Sequence, residues 1–339
     1  RTVVPTDATA VAQPNIALVK YWGKRDTALN LPATGSISIT LDDLRTRTRV
    51  RFSPGLGADS LTLNGAAAPE KLPRITAVLD LLRAQAGTTR FADVQSTNDF
   101  PTGAGLASSA SGFAALVVAA DAALGLHLPP ERLSEFARRG SGSAARSVFG
   151  GFVEMARGER PDGSDAVAAP LLAATEWPLA VVVAVTSDAA KSTSSGAGME
   201  LSRRTSPLYD AWTASSTAAL AEARAAIERR DFAALADISE HSSTTMHAVM
   251  LSSRPALIYW NGATVECLHL IRRLRETSGV ATFSTVDAGP QVKAVCLPED
   301  AARVADALRE VPGVLYVRTT RLGPGARLID PLNDTGGAT

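Results

Sequence analysis

Cysteine is almost absent: the chain has only Cys267 and Cys296 among 339 residues. Two cysteines cannot build a disulfide framework, and these two lack the paired spacing of a metal site. They are interpreted as small buried apolar residues of a reducing compartment. A disulfide-stabilised secreted domain is therefore excluded.

An excess of either charge is also absent, since 34 Lys and Arg residues balance 34 Asp and Glu residues. A general nucleic-acid binder normally has a basic excess, so no nucleic-acid partner is expected. If the chain binds an anionic ligand, positive charge must be concentrated locally. A hydrophobic content of 45% excludes a disordered chain.

Long apolar runs are missing too. No segment reaches the roughly 18 apolar residues of a membrane span, and RTVVPTDATAVAQ at the start has no apolar signal core. We therefore expect a cytoplasmic location and no membrane partner. The length predicts about two domains.

Hydrophobic periodicity predicts the order of the elements. Strands are expected at 36–43, 45–52, 91–100, 177–185, 281–286, 291–297 and 314–320, and an Asn-Gly signal predicts a hairpin at 59–67. Helices are expected at 71–86, 108–124, 129–139, 198–230, 232–248, 261–277 and 299–310, with a loop at 140–147. Strands and helices mixed in both halves predict an α+β fold with antiparallel pairing, divided into 1–175 and 176–339.

A Gly/Ser-rich loop, PTGAGLASSASG (101–112), runs directly into a predicted helix. Such a loop lets backbone N–H groups approach phosphate oxygens, and a helix N-terminus favours negative charge. Its serine hydroxyls offer further donors or a Mg²⁺ ligand. No GK[ST] follows, so this is not a Walker loop. A flexible loop with a serine N-cap is the alternative.

Two further segments concentrate positive charge. In NIALVKYWGKRD (15–26), Lys20, Lys24 and Arg25 surround two aromatic residues, which suits a multiply charged ligand. The alternative is a strand leaving the core with cations lying over aromatic rings. In GSGSAARSVFGG (140–151), Arg146 follows a Ser/Gly loop, where amides and a guanidinium can bind a carboxylate or phosphate. A polar linker is the alternative there.

Asp287 follows a predicted strand and precedes Gly-Pro. A lone Asp in that position usually serves the turn, and no catalytic partner is visible nearby in the sequence. The histidines show no metal-ligand spacing and are interpreted as structural; they are His127, His241, His247 and His269.

Taken together, these segments resemble the diphosphomevalonate decarboxylases, a family of the galactokinase, homoserine kinase, mevalonate kinase and phosphomevalonate kinase superfamily. The resemblance is carried by NIALVKYWGKRD, FPTGAGLASSASGFAAL, RRGSGSAARSVFGGF, MHAVMLSSRPALIYWN and DAGPQVKAV. It implies ATP-dependent phosphorylation of the 3-hydroxyl of (R)-5-diphosphomevalonate, then loss of phosphate and CO₂ to give isopentenyl diphosphate. It also implies a ribosomal-S5-like N-terminal α/β domain, a C-terminal ferredoxin-like domain, an active site in the cleft between them, and a homodimer.

The resemblance further implies which residues act. Asp287 is implied as general base or orienting group, Lys20 as its partner, and Arg146 as the ligand of the substrate carboxylate. The implied substrate-binding residues are Tyr21, Trp22, Gly23, Lys24, Arg74, Ser141, Gly142, Ser143, Ala144, Ala145, Ser195 and Gly196. The implied ATP-binding residues are Ser96, Asn98, Pro101, Gly103, Gly105, Leu106, Ala107, Ser108 and Ser109, with Ser108 also a ligand of Mg²⁺.

One position departs from the family pattern. Gly196 stands after Ser195, where the family usually has Thr or Arg, so a polar or cationic side chain near the substrate is missing. This leaves open a decarboxylase or 3-kinase acting on 5-phosphomevalonate or another 3-hydroxy acid. A non-catalytic ligand sensor is the alternative from a different functional class.

Overall fold

The computed structural model describes residues 6–99 and 108–330. The strands are β1 (Asp7–Ala12), β2 (Asn15–Val19), β3 (Lys24–Asp26), β4 (Leu31–Pro32), β5 (Ser36–Thr40), β6 (Thr46–Ser53), β7 (Ser60–Leu63), β8 (Ala66–Ala67), β9 (Phe91–Asn98), β10 (Phe152–Met155), β11 (Ala168–Leu172), β12 (Ala180–Val185), β13 (Thr282–Val286), β14 (Val292–Cys296), β15 (Tyr316–Arg321) and β16 (Arg327–Ile329). The helices are α1 (Leu72–Ala86), α2 (Ser108–Leu124), α3 (Pro130–Gly140), α4 (Ala144–Ser147), α5 (Ser195–Thr205), α6 (Tyr209–Arg229), α7 (Phe232–Leu251), α8 (Gly262–Ser278) and α9 (Ala301–Arg309).

The first half contains two sheets, ordered β16-β1-β6-β9-β7-β8 and β11-β10-β5-β2. Strand β6 alternates as its sequence predicts: Val50 and Phe52 are buried, whereas Arg49 and Arg51 point to solvent. The core beneath this sheet is closed by α2, which is rich in alanine. Twelve of its 17 residues are buried, because small side chains let the helix lie close to the sheet. The N-terminus of α2 is thereby held beside the cleft.

The second half contains one sheet, ordered β13-β14-β12-β15. Successive residues of β12 enter different cores: Val181 and Val183 pack with α6 and α7, and Val182 packs with α8 and α9. The first of these cores also includes Ile37 and Ile39 of β5. The two halves therefore share one hydrophobic core.

The predicted α+β fold is confirmed, and so is antiparallel pairing, with β7–β9 the parallel exception among the described strands. The Asn-Gly hairpin is confirmed by β7 and β8, with Asn64 and Gly65 both at positive φ. Both cysteines are free and buried, as expected. No helix in the described ranges combines the length and apolar character needed to cross a membrane.

Two predictions of elements were wrong, and some strands were not predicted at all. The single helix expected at 198–230 is two helices, α5 and α6, because Pro207 between them lacks an N–H and disfavours helical geometry before it. The loop expected at 140–147 contains the short helix α4. Strand β16 was not predicted, and it pairs with β1 at the edge of the first sheet, although it follows the second half in sequence.

Candidate active site

A cavity of about 540 Å³ opens where β2, α4, α5 and the turn after β13 meet. Among the described residues lining it, six side chains are cationic and one is a carboxylate, Asp287. The cations are Lys20, Lys24, Arg74, Arg139, Arg146 and Lys191. In a chain of zero net charge, this concentration of positive charge predicts an anionic ligand with several charges.

Asp287 lies between two ammonium groups. Lys20 Nζ is 2.6 Å from Oδ1, and Lys293 Nζ is 3.1 Å from Oδ2. Both lysine side chains are buried, at 1% and 4% exposure, whereas Asp287 is 32% exposed and faces the cleft. The sequence showed no nearby partner for Asp287, and the structure corrects this, because Lys293 lies only six residues away.

The surroundings shift the pKa of each group. Burial by itself would raise the pKa of the Asp287 carboxyl, but Lys20 and Lys293 hold it well below its usual range. Burial, together with the nearby charges of Lys293 and Arg146, lowers the pKa of Lys20 to about 8 against the opposing attraction of Asp287. The cluster therefore carries more positive than negative charge before any ligand binds.

Arg146 is 2% exposed and is fixed by neutral partners. Its Nε and Nη2 donate to Asn15 Oδ1 at 3.2 and 3.0 Å, and Nη1 donates to Ser36 Oγ at 2.5 Å. The Asn15 amide in turn donates to the Ser143 carbonyl. Burial lowers the pKa of Arg146 to about 10. The guanidinium forms no salt bridge with the described carboxylates, so its charge is available to a carboxylate in the cleft.

Tyr21 also lines the cleft, and its buried hydroxyl has no hydrogen-bond partner among the described residues. Burial raises the pKa of this phenol, so it remains a neutral donor. Gly142 packs on the ring, and a Cβ there would lie 2.6 Å from the hydroxyl oxygen. The glycine in SGSAAR therefore makes room for Tyr21.

The next two residues of the same motif serve mainly the architecture. The Trp22 indole donates to Ser202 Oγ at 3.0 Å and lies in an apolar cluster, although its edge reaches the cleft. Gly23 has a φ of +127°, and a Cβ there would lie 2.0 Å from the Tyr209 hydroxyl. Only glycine fits this position, which directs Lys24 into the cleft.

A second cationic wall is formed by Lys24, Arg74 and Arg139. Arg74 donates to the Gly140 carbonyl at 2.6 Å and lies over the Phe113 ring. Ser141, Gly142 and Ser143 line the cleft beside it. The structure does not bring Ala144 and Ala145 to the cleft: both are fully buried in hydrophobic cores.

A second cavity, of about 180 Å³, adjoins the cleft. Apolar side chains line it, namely Leu61, Leu63, Ile75, Val94, Phe113 and Leu116. The predicted ATP-binding residues Ser96, Asn98, Ser108 and Ser109 lie at the same cavity. Arg74 and Ser109 line both cavities and so connect them. Pro101, Gly103, Gly105, Leu106 and Ala107 lie outside the described residues.

The segment leading into α5 forms another part of the rim. Ser194 caps this helix by accepting a hydrogen bond from the Ala197 N–H, and Ser195 and Gly196 line the cleft. A Cβ on Gly196 would meet no atom within 4 Å. The side chain that the family pattern supplies here is therefore replaced by open space.

Sequence reasoning missed several residues of this site, among them Asn15, Arg139 and Lys191 of the cleft and Lys293 behind Asp287. These four bear on the charge and orientation of the site. Two of them leave a signal. Asn15 and Lys293 are polar residues in otherwise apolar, fully buried strands, and burial of such groups requires a partner. Arg139 and Lys191 lie in polar segments and give no comparable signal.

Two family models match the chain: the diphosphomevalonate decarboxylase-like N-terminal domain over residues 12–168, and the mevalonate 5-diphosphate decarboxylase C-terminal domain over residues 181–319. A diphosphomevalonate decarboxylase of Candida albicans is 41% identical over 298 residues, covering 84% of this chain and 82% of the relative.

Solved structures agree with these matches. The mevalonate diphosphate decarboxylase of Staphylococcus aureus superposes with a TM-score of 0.90 at 36% identity, covering 96% of this chain and 98% of that one. A structure of MDDEF in complex with MVAPP, AMPPCP and magnesium has a TM-score of 0.88 at 37% identity, covering 96% and 99%.

Proposed function

The chain belongs to the diphosphomevalonate decarboxylase family, and from this premise we propose that its cleft decarboxylates (R)-5-diphosphomevalonate. The reaction is ATP-dependent: the 3-hydroxyl is phosphorylated, and loss of phosphate and CO₂ gives isopentenyl diphosphate. One observation supports placing this reaction in the cleft. Asp287, paired with Lys20 and Lys293, shares the cation-rich cleft with the buried guanidinium of Arg146.

Asp287 acts on the 3-hydroxyl. Its carboxylate is ionised at neutral pH, because the two lysines hold its pKa below the usual range. A tertiary alcohol is hindered, so an acceptor that fixes the direction of its O–H bond aids attack. The same low pKa makes Asp287 a weak base. Orientation of the hydroxyl is therefore its larger contribution, and the Asp287 carboxylate accepts the hydroxyl proton only as the new O–P bond forms and makes that proton more acidic.

Arg146 binds the substrate carboxylate. A guanidinium can donate two parallel hydrogen bonds to a carboxylate, which fixes the plane of that group. Asn15 and Ser36 prevent the side chain from turning. Held in this way, the C–C bond to the carboxylate is aligned with the C–O bond that breaks, which favours the simultaneous loss of CO₂ and phosphate.

The second cationic wall binds the diphosphate. Lys24, Arg74 and Arg139 offer three positive charges, and the Tyr21 hydroxyl offers an unused donor. Ser141 and Ser143 add further hydroxyl groups along the same wall. Their arrangement places the charged tail of the substrate away from Asp287, so that the 3-hydroxyl and not the diphosphate reaches the carboxylate.

The second cavity receives the nucleoside of ATP. Its apolar walls suit a flat ring, and Ser96 and Asn98 supply polar contacts at one end. Mg²⁺ binds phosphate oxygens and several waters with few protein ligands, which fits a site whose described residues contain no group of three His, Cys, Asp or Glu side chains. Ser108 is the hydroxyl ligand we assign to it. When bound, Mg²⁺ neutralises charge on the phosphates.

We further propose that residues 1–175 and 176–339 form the two domains, and that the protein is a cytoplasmic homodimer. The domain division is supported by the two family models, which end and begin on either side of it. Sedimentation velocity tests the oligomeric state, and a single monomer boundary at micromolar concentration would contradict a dimer.

The function is tested by measuring CO₂ and inorganic phosphate released per ADP from mevalonate, 5-phosphomevalonate and 5-diphosphomevalonate. We expect one of each per ADP, with 5-diphosphomevalonate preferred. ADP without CO₂ would indicate a kinase that stops at the 3-phosphate. Preference for 5-phosphomevalonate would support the alternative substrate that Gly196 leaves open, and binding without turnover would support a ligand sensor.

A further inference from the structure

Lys293 is a buried lysine that the proposed reaction does not otherwise use. It lies in β14 between Val292 and Ala294, within a strand whose five residues are all buried. It is not among the residues that line the cleft, and its side chain is buried. Its ammonium contacts Asp287 Oδ2 at 3.1 Å. Among the described residues, Asp287 is the carboxylate with which Lys293 forms a salt bridge.

The two lysines hold Asp287 from different sides. Lys20 reaches Oδ1 from the end of β2 in the first half, and Lys293 reaches Oδ2 from β14 in the second half. A carboxylate with a single ion pair can still rotate about its Cβ–Cγ bond. With a separate ammonium on each oxygen, rotation breaks one or both contacts, so the plane of the carboxylate is fixed.

Burying an ammonium in an apolar strand is costly unless it is paired. Here the Asp287 carboxylate supplies the counter-charge for Lys293, and Lys293 fixes the orientation of that carboxylate. We propose that Lys293 is a positioning residue, which holds the carboxylate of Asp287 in the plane that meets the substrate's 3-hydroxyl. This inference rests on the proposed function.

The titratable and charged groups that face Asp287 determine what the removal of Lys293 changes. They are Lys20 after β2, Arg146 on α4, Lys191 before α5, His247 on α7 and Lys293 itself. Without Lys293, Asp287 keeps its ion pair with Lys20 but gains rotational freedom. Lys20 loses a repelling neighbour, so its pKa rises.

The test compares Lys293→Met, which removes the charge at similar volume, with Lys293→Arg, which keeps it. We expect kcat for CO₂ release to fall about 10- to 100-fold in the Met variant. This is the loss typical when a residue that orients a metal-ligating side chain is replaced, and Lys293 orients Asp287 in the same way. The Michaelis constants change little, because Lys293 touches neither substrate. The Arg variant recovers most of the loss. Arg272→Met, on the exposed face of α8, is the control for loss of one positive charge.

Two readouts separate positioning from a merely structural role. In the Asp287→Asn background, Lys293→Met lowers kcat little further, because residues that act as a unit are not additive. We expect loss of the Lys20 proton to limit kcat/KM at alkaline pH, and we expect this limb to move upward in Lys293→Met and to stay in place in Lys293→Arg.

The proposal is overturned if Lys293→Met keeps the wild-type kcat, or if its loss is undiminished beside Asp287→Asn. If the Met variant does not fold, Lys293→Leu replaces it, since this side chain also lacks a donor to Oδ2, and the same outcomes apply. A wild-type enzyme that releases no CO₂ overturns the proposed function and this inference with it. An active wild type with an unaffected Lys293→Met overturns the inference alone.

Discussion

Arg146 is held by neutral partners, and this makes its replacement by lysine informative. Lys keeps the positive charge but loses the two-pronged donor, and it also leaves the Asn15 amide oxygen without its partner. One charge-assisted hydrogen bond is worth about 1.5–3 kcal/mol, so we expect CO₂ release by Arg146→Lys to fall about tenfold or more. The Michaelis constant for ATP should change little. Steady-state kinetics check this, and unchanged kinetics would remove Arg146 from the substrate site.

Asp287→Asn keeps the shape of the side chain and removes its charge. Turnover should fall at least about 100-fold, as for loss of a proton-accepting group, while ATP binding stays nearly constant. The variant also leaves Lys20 and Lys293 without a counter-charge, so the free energy of unfolding should fall as well. CO₂ release and nucleotide titration test the first two expectations. More than a tenth of the wild-type rate would contradict the assignment.

Gly196 lies in the first turn of α5 without a positive φ, and the space beside it is open. A larger side chain is therefore compatible with the backbone. If the site lacks one donor, Gly196→Arg should lower the Michaelis constant for 5-diphosphomevalonate about tenfold, the value of one charge-assisted hydrogen bond. Gly196→Ala is the control for a Cβ alone. Lost activity on every phosphorylated substrate would show that the open space itself is required.

At the scale of single residues, the sequence predicts those that lie in a distinctive local motif. Asp287, Lys20 and Arg146 are each marked by a distinctive neighbourhood, and the structure brings all three to one cleft. Their partners are different. Lys20 and Asp287 are 267 positions apart, and Arg146 and Asn15 are 131 apart, so no spacing encodes these contacts. Which partner satisfies a buried polar group is decided by the fold.

Among the helices, α7 has a stripe of serines that faces Lys20 and the strand preceding Asp287. Ser242 accepts from the Lys20 N–H at 2.9 Å. Ser243 accepts from the Val286 N–H at 3.0 Å and donates to the Val286 carbonyl at 3.2 Å. One helix thus fixes the backbone of both Lys20 and the residue before Asp287. The motif MHAVMLSSRPALIYWN begins on this helix, after the serines.

Ser243→Ala should therefore be harmful to both stability and turnover. It removes the hydroxyl that accepts from the buried Val286 N–H, which costs about 1–3 kcal/mol in unfolding free energy, whereas the Val286 carbonyl keeps its contact with His247 Nε2. Ser239→Ala is a matched control on the same helix, because Ser239 is buried and its hydroxyl has no partner among the described residues. Urea unfolding and kcat compare the two. Equal effects would show that the stripe has no positioning role.

Elements with a long periodic pattern were the ones that the sequence predicted. The alternation in β6 and the apolar spacing of α1 extend over enough residues to define a face. The short helix α4 and the three-residue strand β16 do not. Their geometry is set by tertiary contacts: Arg146 anchors α4 to Asn15, and β16 depends on pairing with β1.

For the molecule as a whole, His247 links stability to pH. Burial, and then the nearby charge of Lys20, lower its pKa to about 4. Between its ordinary value of 6.5 and about 4, the unfolded chain binds a proton that the folded protein does not. Stability therefore decreases as the pH falls through this window, by about 3 kcal/mol from this residue alone.

His247→Gln tests this, because the amide does not titrate and keeps a polar group beside Trp260 Nε1 and the Val286 carbonyl oxygen, which both lie 3.2 Å from His247 Nε2. We expect the variant to lose less unfolding free energy than the wild type between pH 7 and pH 4. Urea unfolding at both pH values gives the difference. If the two proteins lose stability in parallel, His247 is not the group responsible.

The return of β16 to the first sheet has a consequence for the order of folding during synthesis. Strand β1 pairs with β6 on one side and β16 on the other. Residues 327–329 leave the ribosome only after the whole second half has been made. Until then, β1 has an open edge, which other strands can pair with. Native closure of that edge also joins residues more than 300 positions apart, and such distant pairing is slow. The nascent chain is consequently exposed to misassembly at this edge until β16 emerges.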